Sequence, residues 1–250
     1  MTTRPTAIRA WLFDFDNTLA ALEREVDWAG GRRKLEAFLR AEFTARGLDP
    51  AVFAEIPRGN LPLYAALHSR WLRDGERNPI ADGGAILARA SAMIEELELA
   101  GVDRAAPLPG AIDLLRALDH RGRAVALVTS NSSRTASRWL ARYQLADCVR
   151  AIVGRDSMLA LKPSPEMVVR ALELCAADPG AALFVGDSEA DYRAATAVGV
   201  RFAAIAPDEN ARESFRLRGV DHIFASPLEL GARLADAPTG EFDPADKPPN

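Results

Sequence analysis

The chain has 250 residues, of which 48% are hydrophobic and 26% are charged, so a wholly disordered or fibrous protein is excluded. With 31 basic and 35 acidic residues the net charge is −4, which excludes a broad basic surface for nucleic acid or an acidic membrane. The first predicted element is a buried strand over Ala10–Phe15, an apolar and aromatic run that ends in Asp14, Asp16 and Asn17.

A long helical block follows this strand. Between about residues 22 and 106 strand patterns are absent, and apolar residues recur three and four positions apart. This spacing predicts helices over Arg33–Arg46, Leu61–Arg73 and Ala85–Leu99, which are separated by segments rich in Gly, Pro and Asp.

From residue 107 onward, strands and helices alternate along the chain. The predicted strands are Ala124–Val128, Ala151–Val153, Ala182–Val185, Phe202–Ile205 and Ile223–Ala225. The predicted helices are Ala111–Arg121, Ser133–Tyr143, Pro165–Ala176, Glu189–Val198, Glu209–Arg218 and Pro227–Leu234. This alternation predicts an α/β fold with a Rossmann-like parallel sheet that has helices on both faces.

The helical block therefore interrupts an α/β domain after its first strand. We predict an α/β core made of residues 1–19 and 109–235, a helical cap made of residues 20–108, and a disordered tail over residues 236–250, which are rich in Pro and Asp. Two domains with a crevice between them are the expected architecture.

Polar side chains follow the predicted strands at the carboxyl ends, where open parallel sheets bind their ligands. They are Asp14 and Asp16 after the first strand, Thr129, Ser130 and Asn131 after the second, and Asp187 and Asp191 after the fourth. Lys162 lies in the loop that opens the helix after the third strand, and it is one of only three lysines in the chain. All of these side chains are expected to meet at one edge of one sheet.

The chemistry of these residue types indicates a metal and a phosphate. Crowded carboxylates repel one another and stay ionised around a cation, and an all-oxygen set suits Mg²⁺. Lys162, the Thr129 hydroxyl and the backbone N–H groups at Ser132 can bind a phosphate. Asp14 and Asp16 lie two residues apart in extended chain, so both point to the same side. One can attack phosphorus while the other protonates the leaving oxygen.

Each residue also has a purely structural interpretation. Asp14 and Asp16 can end a strand and cap a helix, and Thr129 can cap the helix that follows its strand. Lys162 can be a solvated surface residue. Asp187 and Asp191 can be acids of the first helical turn, which the helix dipole favours.

Four motifs, in order over residues 8–206, resemble the haloacid dehalogenase-like superfamily in its phosphoglycolate phosphatase-like branch. They are Asp14-Phe-Asp16-Asn-Thr18, Leu127-Val-Thr129-Ser130-Asn131, Lys162-Pro163-Ser-Pro165 and Gly186-Asp187-Ser-Glu-Ala-Asp191. The helical block stands where this branch carries its cap. Asn17 replaces a commoner glycine, but Asn also accepts turn conformations.

The resemblance implies a Mg²⁺-dependent phosphatase that hydrolyses a small phosphorylated metabolite, such as phosphoglycolate or a sugar phosphate. Asp14 would be the nucleophile that forms an aspartyl-phosphate, and Asp16 the general acid and base. Thr129 and Lys162 would hold the phosphoryl oxygens, with Ser130 and Asn131 contributing side chains or backbone amides. Mg²⁺ would be bound by Asp14, the backbone carbonyl of Asp16, Asp187 and, directly or indirectly, Asp191.

Three other functions stay open at this point. A sugar-phosphate mutase would use the same core. An α/β-hydrolase esterase would use Ser188 of Gly186-Asp-Ser188-Glu-Ala190 as nucleophile, with Asp208 or Asp221 and His222 completing a triad. A binding module on a phosphatase scaffold would need no turnover. Within the cap, Arg58, Arg70 and Arg73 could meet an anionic substrate, and Trp28 and Trp71 could line the cleft.

The cysteines and the N-terminus bear on the compartment. Cys148 and Cys175 are too few for a disulfide framework and lack metal-ligand spacing. No apolar run reaches the roughly 18 residues that cross a bilayer, and no separate apolar signal region is apparent. We expect a cytoplasmic monomer or homodimer without nucleic-acid or membrane partners.

Overall fold

A computed structural model of the chain describes residues 7–69 and 82–236. In these ranges six parallel strands form one sheet in the order β3-β2-β1-β4-β5-β6. The strands are β1 (Ala10–Phe13), β2 (Ala124–Val128), β3 (Ala151–Val153), β4 (Ala182–Gly186), β5 (Arg201–Ile205) and β6 (Ile223–Phe224). The strand order and the parallel pairing confirm the predicted Rossmann-like sheet.

Nine α-helices lie in the described ranges. They are α1 (Trp28–Ala45), α2 (Asn60–His68), α3 (Gly83–Val102), α4 (Ala111–His120), α5 (Ser133–Arg142), α6 (Glu166–Cys175), α7 (Glu189–Thr196), α8 (Glu209–Leu217) and α9 (Pro227–Asp236). Short 3₁₀ helices span Glu23–Glu25, Pro50–Glu55, Ala146–Cys148, Arg155–Ser157 and Pro179–Ala181.

The central strand β1 shows how the sheet divides the core. All four of its residues are buried, and side chains of a strand alternate between the two faces. Trp11 and Phe13 join a cluster formed with α4, α5 and α9. Ala10 and Leu12 join a second cluster formed with α6, α7 and α8. Helices therefore cover both faces, as predicted. The strand ends at Phe13 rather than at the predicted Phe15.

The inserted helices α1, α2 and α3 follow β1, as predicted, but their ends differ from the prediction. Helix α1 begins at Trp28 rather than at Arg33, because the Asp27 side chain accepts a hydrogen bond from the Gly30 N–H. Gly31 lies inside the helix because it packs against α3, where a Cβ would stand 2.0 Å from Leu97 Cδ1. Gly31 is therefore a point of close contact between two helices, whereas Gly30 lies against the side chain of the Asp27 cap.

Helix α3 extends to Val102, beyond the predicted end at Leu99. Its last turns pack against α5, so the final inserted helix touches the α/β core directly. The predicted division at residue 108 is untested and stays a prediction.

Several predictions fall on other parts of the chain. The predicted end of the second helix at Arg73, together with Arg70 and Trp71, lies outside the described residues. Asp236 is the last residue of α9, and the rest of the predicted tail also lies outside them. None of the helices in the described ranges is long and apolar enough to cross a bilayer.

Candidate active site

The sheet register brings the first and fourth motifs together. Phe13 of β1 pairs with Leu127 of β2 on one side and with Val185 of β4 on the other. Asp14 and Asp187 therefore lie at the carboxyl ends of neighbouring strands. Between β1 and β4 the strand order reverses direction, and open α/β sheets bind ligands at this point.

Lys162 lies among oxygen atoms at this edge. Its Nζ is 2.6 Å from Asp14 Oδ1 and 2.5 Å from Asp191 Oδ1, and it donates to the Val128 carbonyl oxygen at 3.0 Å. The Lys162 side chain is only 4% exposed. The ammonium therefore donates to Asp14 and to the Val128 carbonyl and forms an ion pair with Asp191. Burial opposes its charge, but Asp14 and Asp191 outweigh burial and raise the pKa of Lys162.

Asp14, Asp187 and Asp191 form the acidic cluster, in which one carboxylate oxygen of each lies within 4.8 Å of the others. Burial raises the pKa of Asp14 to about 6, although Lys162 opposes this shift. Burial, together with the charges of Asp14 and Asp191, raises the pKa of Asp187 to about 8. Three carboxylates around one ammonium leave negative charge uncompensated. This all-oxygen donor set fits a small divalent cation such as Mg²⁺.

The Asp16 carboxyl lies outside the acidic cluster, at the start of the inserted block. Its Oδ1 accepts hydrogen bonds from the backbone N–H groups of Leu22 and Glu23, both at 2.9 Å. Burial raises its pKa to about 7, against the effect of these N–H groups. Asp16 is therefore held in one orientation and carries a proton over part of the neutral pH range. Asn17 beside it adopts a left-handed conformation with φ 58°, which Asn tolerates.

Asp191 has a structural role and an electrostatic one. Its Oδ2 accepts from the Ser188 N–H and hydroxyl, at 3.1 and 2.6 Å, in a capping box that begins α7. Its Oδ1 faces Lys162. Gly186 permits this approach, because a Cβ there would stand 2.7 Å from the Asp191 carboxyl carbon. Ser188 is thus an N-cap whose hydroxyl bonds Asp191, an arrangement that does not support an esterase nucleophile.

The loop after β2 differs from its prediction. The Thr129 side chain is fully buried, and its hydroxyl donates to Asn131 Oδ1 at 3.1 Å. The Ser132 N–H, one of the backbone groups predicted to be able to bind phosphate, donates to Glu98 Oε2 at 3.0 Å. Ser130 lines the cavity described below. Thr129 supports the loop, whereas Ser130 faces the space where a ligand would lie.

Sequence reasoning missed Glu98 and its partner Arg155, both fully buried. A sequence pattern for Glu98 existed, because it lies on the apolar stripe of α3 between Ile94 and Val102. A charged residue on such a stripe requires a buried partner. The sequence alone did not identify that partner.

A cavity of about 630 Å³ opens beside these residues. The α/β core contributes Asp14, Asp16, Ser130, Asn131, Lys162 and Asp187 to its walls. The inserted block contributes Trp28, Asn60, Leu61, Pro62 and Ala65. The structure thus brings residues of all four predicted motifs to one pocket, and Trp28, one of the two tryptophans that could line the cleft, lies in its wall. Arg58 is exposed and is not among the residues that line this cavity, while Arg70, Arg73 and Trp71 lie outside the described residues.

Comparisons with known proteins agree with this arrangement. Residues 8–199 match the family of haloacid dehalogenase-like hydrolases. Phosphoglycolate phosphatase 1 of Pseudomonas aeruginosa is 37% identical over 97 residues, 39% of this chain and 36% of that protein. The chain thus spans about a third of the length of this curated relative.

Two solved structures share the fold. CbbY from Rhodobacter sphaeroides in complex with phosphate is 26% identical, with a TM-score of 0.54 over 90% of this chain and 96% of that one. A putative β-phosphoglucomutase from Bacteroides vulgatus is 18% identical, with a TM-score of 0.60 over 96% and 93%, a likeness that shows the fold alone. The family match covers the strands β1 to β4 and the four motifs, and the chain belongs to the haloacid dehalogenase-like hydrolases.

Proposed function

We propose that the protein is a Mg²⁺-dependent phosphatase that hydrolyses a small phosphorylated metabolite through an aspartyl-phosphate. The observation that carries this proposal is the acidic cluster with its single buried ammonium, in a cavity large enough for a small metabolite. The curated relative named a phosphoglycolate phosphatase supports the same reaction class.

Asp14, the backbone carbonyl of Asp16 and Asp187 would hold Mg²⁺. When bound, the ion would neutralise charge on the transferring phosphoryl group. Asp191 would act through Lys162, because its Oδ2 accepts from Ser188 and its Oδ1 forms an ion pair with Lys162.

Asp14 is the proposed nucleophile. Lys162 holds Asp14 Oδ1, and the other carboxylate oxygen attacks phosphorus. As the new bond forms, the bond between phosphorus and the leaving oxygen breaks, and Asp16 gives its proton to that oxygen. The pKa of about 7 suits Asp16 to this role near neutral pH.

The second half reverses the role of Asp16. The ionised carboxylate takes a proton from water, and the water oxygen attacks the phosphorus of the aspartyl-phosphate. The bond to Asp14 breaks, inorganic phosphate leaves, and both carboxyl groups return to their starting state. Lys162 keeps positive charge beside the phosphoryl group throughout.

The inserted helices would act as a cap that excludes water and selects the substrate through contacts with its leaving group. Asn60 begins α2 and lines the cavity; its Nδ2 donates to the Trp28 carbonyl oxygen at 3.0 Å, while its buried Oδ1 has no partner among the described residues. This oxygen would accept a hydrogen bond from a substrate hydroxyl. A hydroxylated leaving group, as in a sugar phosphate or phosphorylated hydroxy acid, satisfies it. A cytoplasmic location and a monomeric or homodimeric state stay predictions.

A phosphate-release screen over phosphorylated acids, sugars and nucleotides tests the proposal. We expect release with Mg²⁺ and none after chelation. Chelator-resistant cleavage of carboxyl esters would favour the esterase instead. Isomerised sugar monophosphate without free phosphate would favour the mutase. An effect in cells that survives Asp14→Asn would favour the binding module.

A further inference from the structure

A second group of buried charges lies behind the loop after β2. Glu98 of α3 and Arg155, which follows β3, are both fully buried. Arg155 Nη1 lies 2.6 Å from Glu98 Oε1, and its Nη2 lies 3.3 Å from Oε2. Arg155 also donates to the Ser130 carbonyl oxygen at 2.7 Å and to Ser91 of α3. The guanidinium therefore links the inserted helix α3 to the loop.

Glu98 of α3 also accepts hydrogen bonds from the loop after β2 and from the start of α5. Its Oε1 accepts from Asn131 Nδ2 at 3.1 Å. Its Oε2 accepts from the Ser132 N–H at 3.0 Å and from the Thr135 hydroxyl at 3.1 Å. The carboxylate thus satisfies the N-terminus of α5, a position that commonly attracts an anion. A phosphate bound here would have to displace a buried side chain.

These contacts determine which loop atoms remain for a ligand. Both ends of the Asn131 side-chain amide are hydrogen-bonded: its Nδ2 donates to Glu98 and its Oδ1 accepts from the Thr129 hydroxyl. The Ser130 carbonyl oxygen is turned toward Arg155, which fixes the peptide that follows it. Among the described residues, neither the N–H nor the hydroxyl of Ser130 has a hydrogen-bond partner, and Ser130 lines the cavity. Ser130 therefore offers the donors that the loop presents to the cavity.

We propose that Glu98 and Arg155 are positioning residues for phosphoryl transfer, which hold the Ser130 donors against the phosphoryl oxygens. The inference rests on the proposed phosphatase function and adds to it a contribution from α3, the last inserted helix. Stability alone does not require an ion pair here, because apolar residues of similar volume often replace a buried pair at little cost. The pair's geometry, with both partners bonded to the loop, is what an apolar replacement loses.

The double variant Glu98→Leu with Arg155→Met separates these roles, since it removes both charges together. We expect a folded protein, judged by cooperative thermal unfolding, whose kcat is lower by about 10- to 100-fold. We also expect weaker binding of inorganic phosphate to the Mg²⁺-loaded protein, by about 10-fold, measured by calorimetry. The loss in kcat should be equal for p-nitrophenyl phosphate and for a sugar phosphate, because the loop meets the phosphoryl group and not the leaving group.

Asp103→Asn is the matched control. Asp103 at the end of α3 pairs with Arg138 of α5 on the surface, so it joins the same two helices without touching the loop. It should leave kcat and phosphate binding at wild-type values. Thr135→Val is a milder variant, which removes one donor to Glu98 and leaves the pair intact. We expect a loss of about threefold in both measurements.

Wild-type kcat and phosphate affinity in a folded double variant would overturn the proposal, and so would a loss that depends on the leaving group. If the double variant does not fold, wild-type values in Thr135→Val would overturn it instead. A wild-type protein that cleaves no phosphomonoester would refute the proposed function alone, because phosphate binding can still be compared between the variants.

Discussion

The acidic cluster and the Glu98–Arg155 pair both bury charge beside the loop after β2, but their balance differs. The acidic cluster sets three carboxylates against the one ammonium of Lys162. Burial there raises the pKa of Asp14 to about 6 and that of Asp187 to about 8. In the pair, one carboxylate meets one guanidinium, and both carboxylate oxygens accept from several donors.

The difference separates a binding site from a scaffold. A balanced, fully hydrogen-bonded pair needs nothing further, so it is suited to holding neighbouring atoms in place. A cluster with excess negative charge lowers the stability of the folded protein when no cation is bound, and binding of a cation raises that stability. Two groups of buried charge can therefore have opposite purposes: the acidic cluster is suited to binding a cation, and the Glu98–Arg155 pair is suited to holding the loop.

Asp14→Asn should have the largest effect on activity. It removes the proposed nucleophile, and we expect kcat to fall by at least about 10⁴-fold. The fold should persist, because the change removes one charge from an over-acidic site. Phosphate release and thermal unfolding measure the two effects. Asp113→Asn, at an exposed acid of α4, is the control; near-wild-type turnover in Asp14→Asn would refute its role.

Lys162→Met and Arg155→Met test the contrast directly, because each removes the cation from one buried group. Each should cost about 3–5 kcal/mol in the free energy of unfolding, and Lys162→Met should also lower kcat by about 10²- to 10³-fold. Mg²⁺ should raise the free energy of unfolding of Arg155→Met by no more than it raises that of the wild type, because the acidic cluster is intact there. It should raise that of Lys162→Met by more, because the cluster of that variant has lost its cation. Urea unfolding with and without Mg²⁺ measures this, and equal rescue of both variants would break the comparison.

Mg²⁺ should stabilise the wild-type protein, and more so at high pH. Folding raises the pKa values of Asp14 and Asp187 from 3.8 to about 6 and about 8. The folded protein therefore holds more protons than the unfolded chain between pH 3.8 and about pH 8. Without metal, the stability contributed by these groups is present at low pH and is lost as pH rises through that window.

Mg²⁺ binds the deprotonated carboxylates and removes this penalty. At a concentration 100 times Kd it should add about 2.7 kcal/mol. The rise in Tm on adding Mg²⁺ should be larger at pH 8 than at pH 5.5, and it should shrink in Asp187→Asn. A rise that does not vary with pH would contradict the acidic cluster as the binding site.

The smallest effect concerns the cap side of the cavity. Asn60→Ala removes the Oδ1 that has no hydrogen-bond partner within residues 7–69 and 82–236, so it should lower kcat/KM for a hydroxylated substrate by about 3- to 10-fold. Hydrolysis of p-nitrophenyl phosphate, which has no such hydroxyl, serves as the internal control and should change by less than about twofold. An equal loss for both substrates would indicate a general effect on folding or closure.

Much of the site could be predicted because its residues stand next to strand ends. Different stretches of chain contain Asp14, Lys162 and Asp187. These residues nevertheless meet, because the carboxyl ends of parallel strands lie at one edge of the sheet. The structure places these three together, as the sequence led us to expect. The start of α1 was harder to predict, because Gly31 is explained by its contact with Leu97, a residue of a different helix.

The loop after β2 marks where sequence reasoning stopped. Thr129 was predicted to hold the phosphoryl oxygens, while the sequence left open whether Ser130 and Asn131 would contribute side chains or only backbone amides. The structure distinguishes them through Glu98, which is more than thirty positions away and takes up the Asn131 amide and the Ser132 N–H.

The sequence by itself determined the sheet, the helices on its faces and the acidic residues at its edge, because apolar periodicity and strand ends are local properties of the chain. Tertiary structure decided which polar atoms stay available at that edge. A donor that bonds a buried acceptor is not available to a ligand. In this protein that acceptor is Glu98 on α3, which is far along the chain from the loop that it contacts.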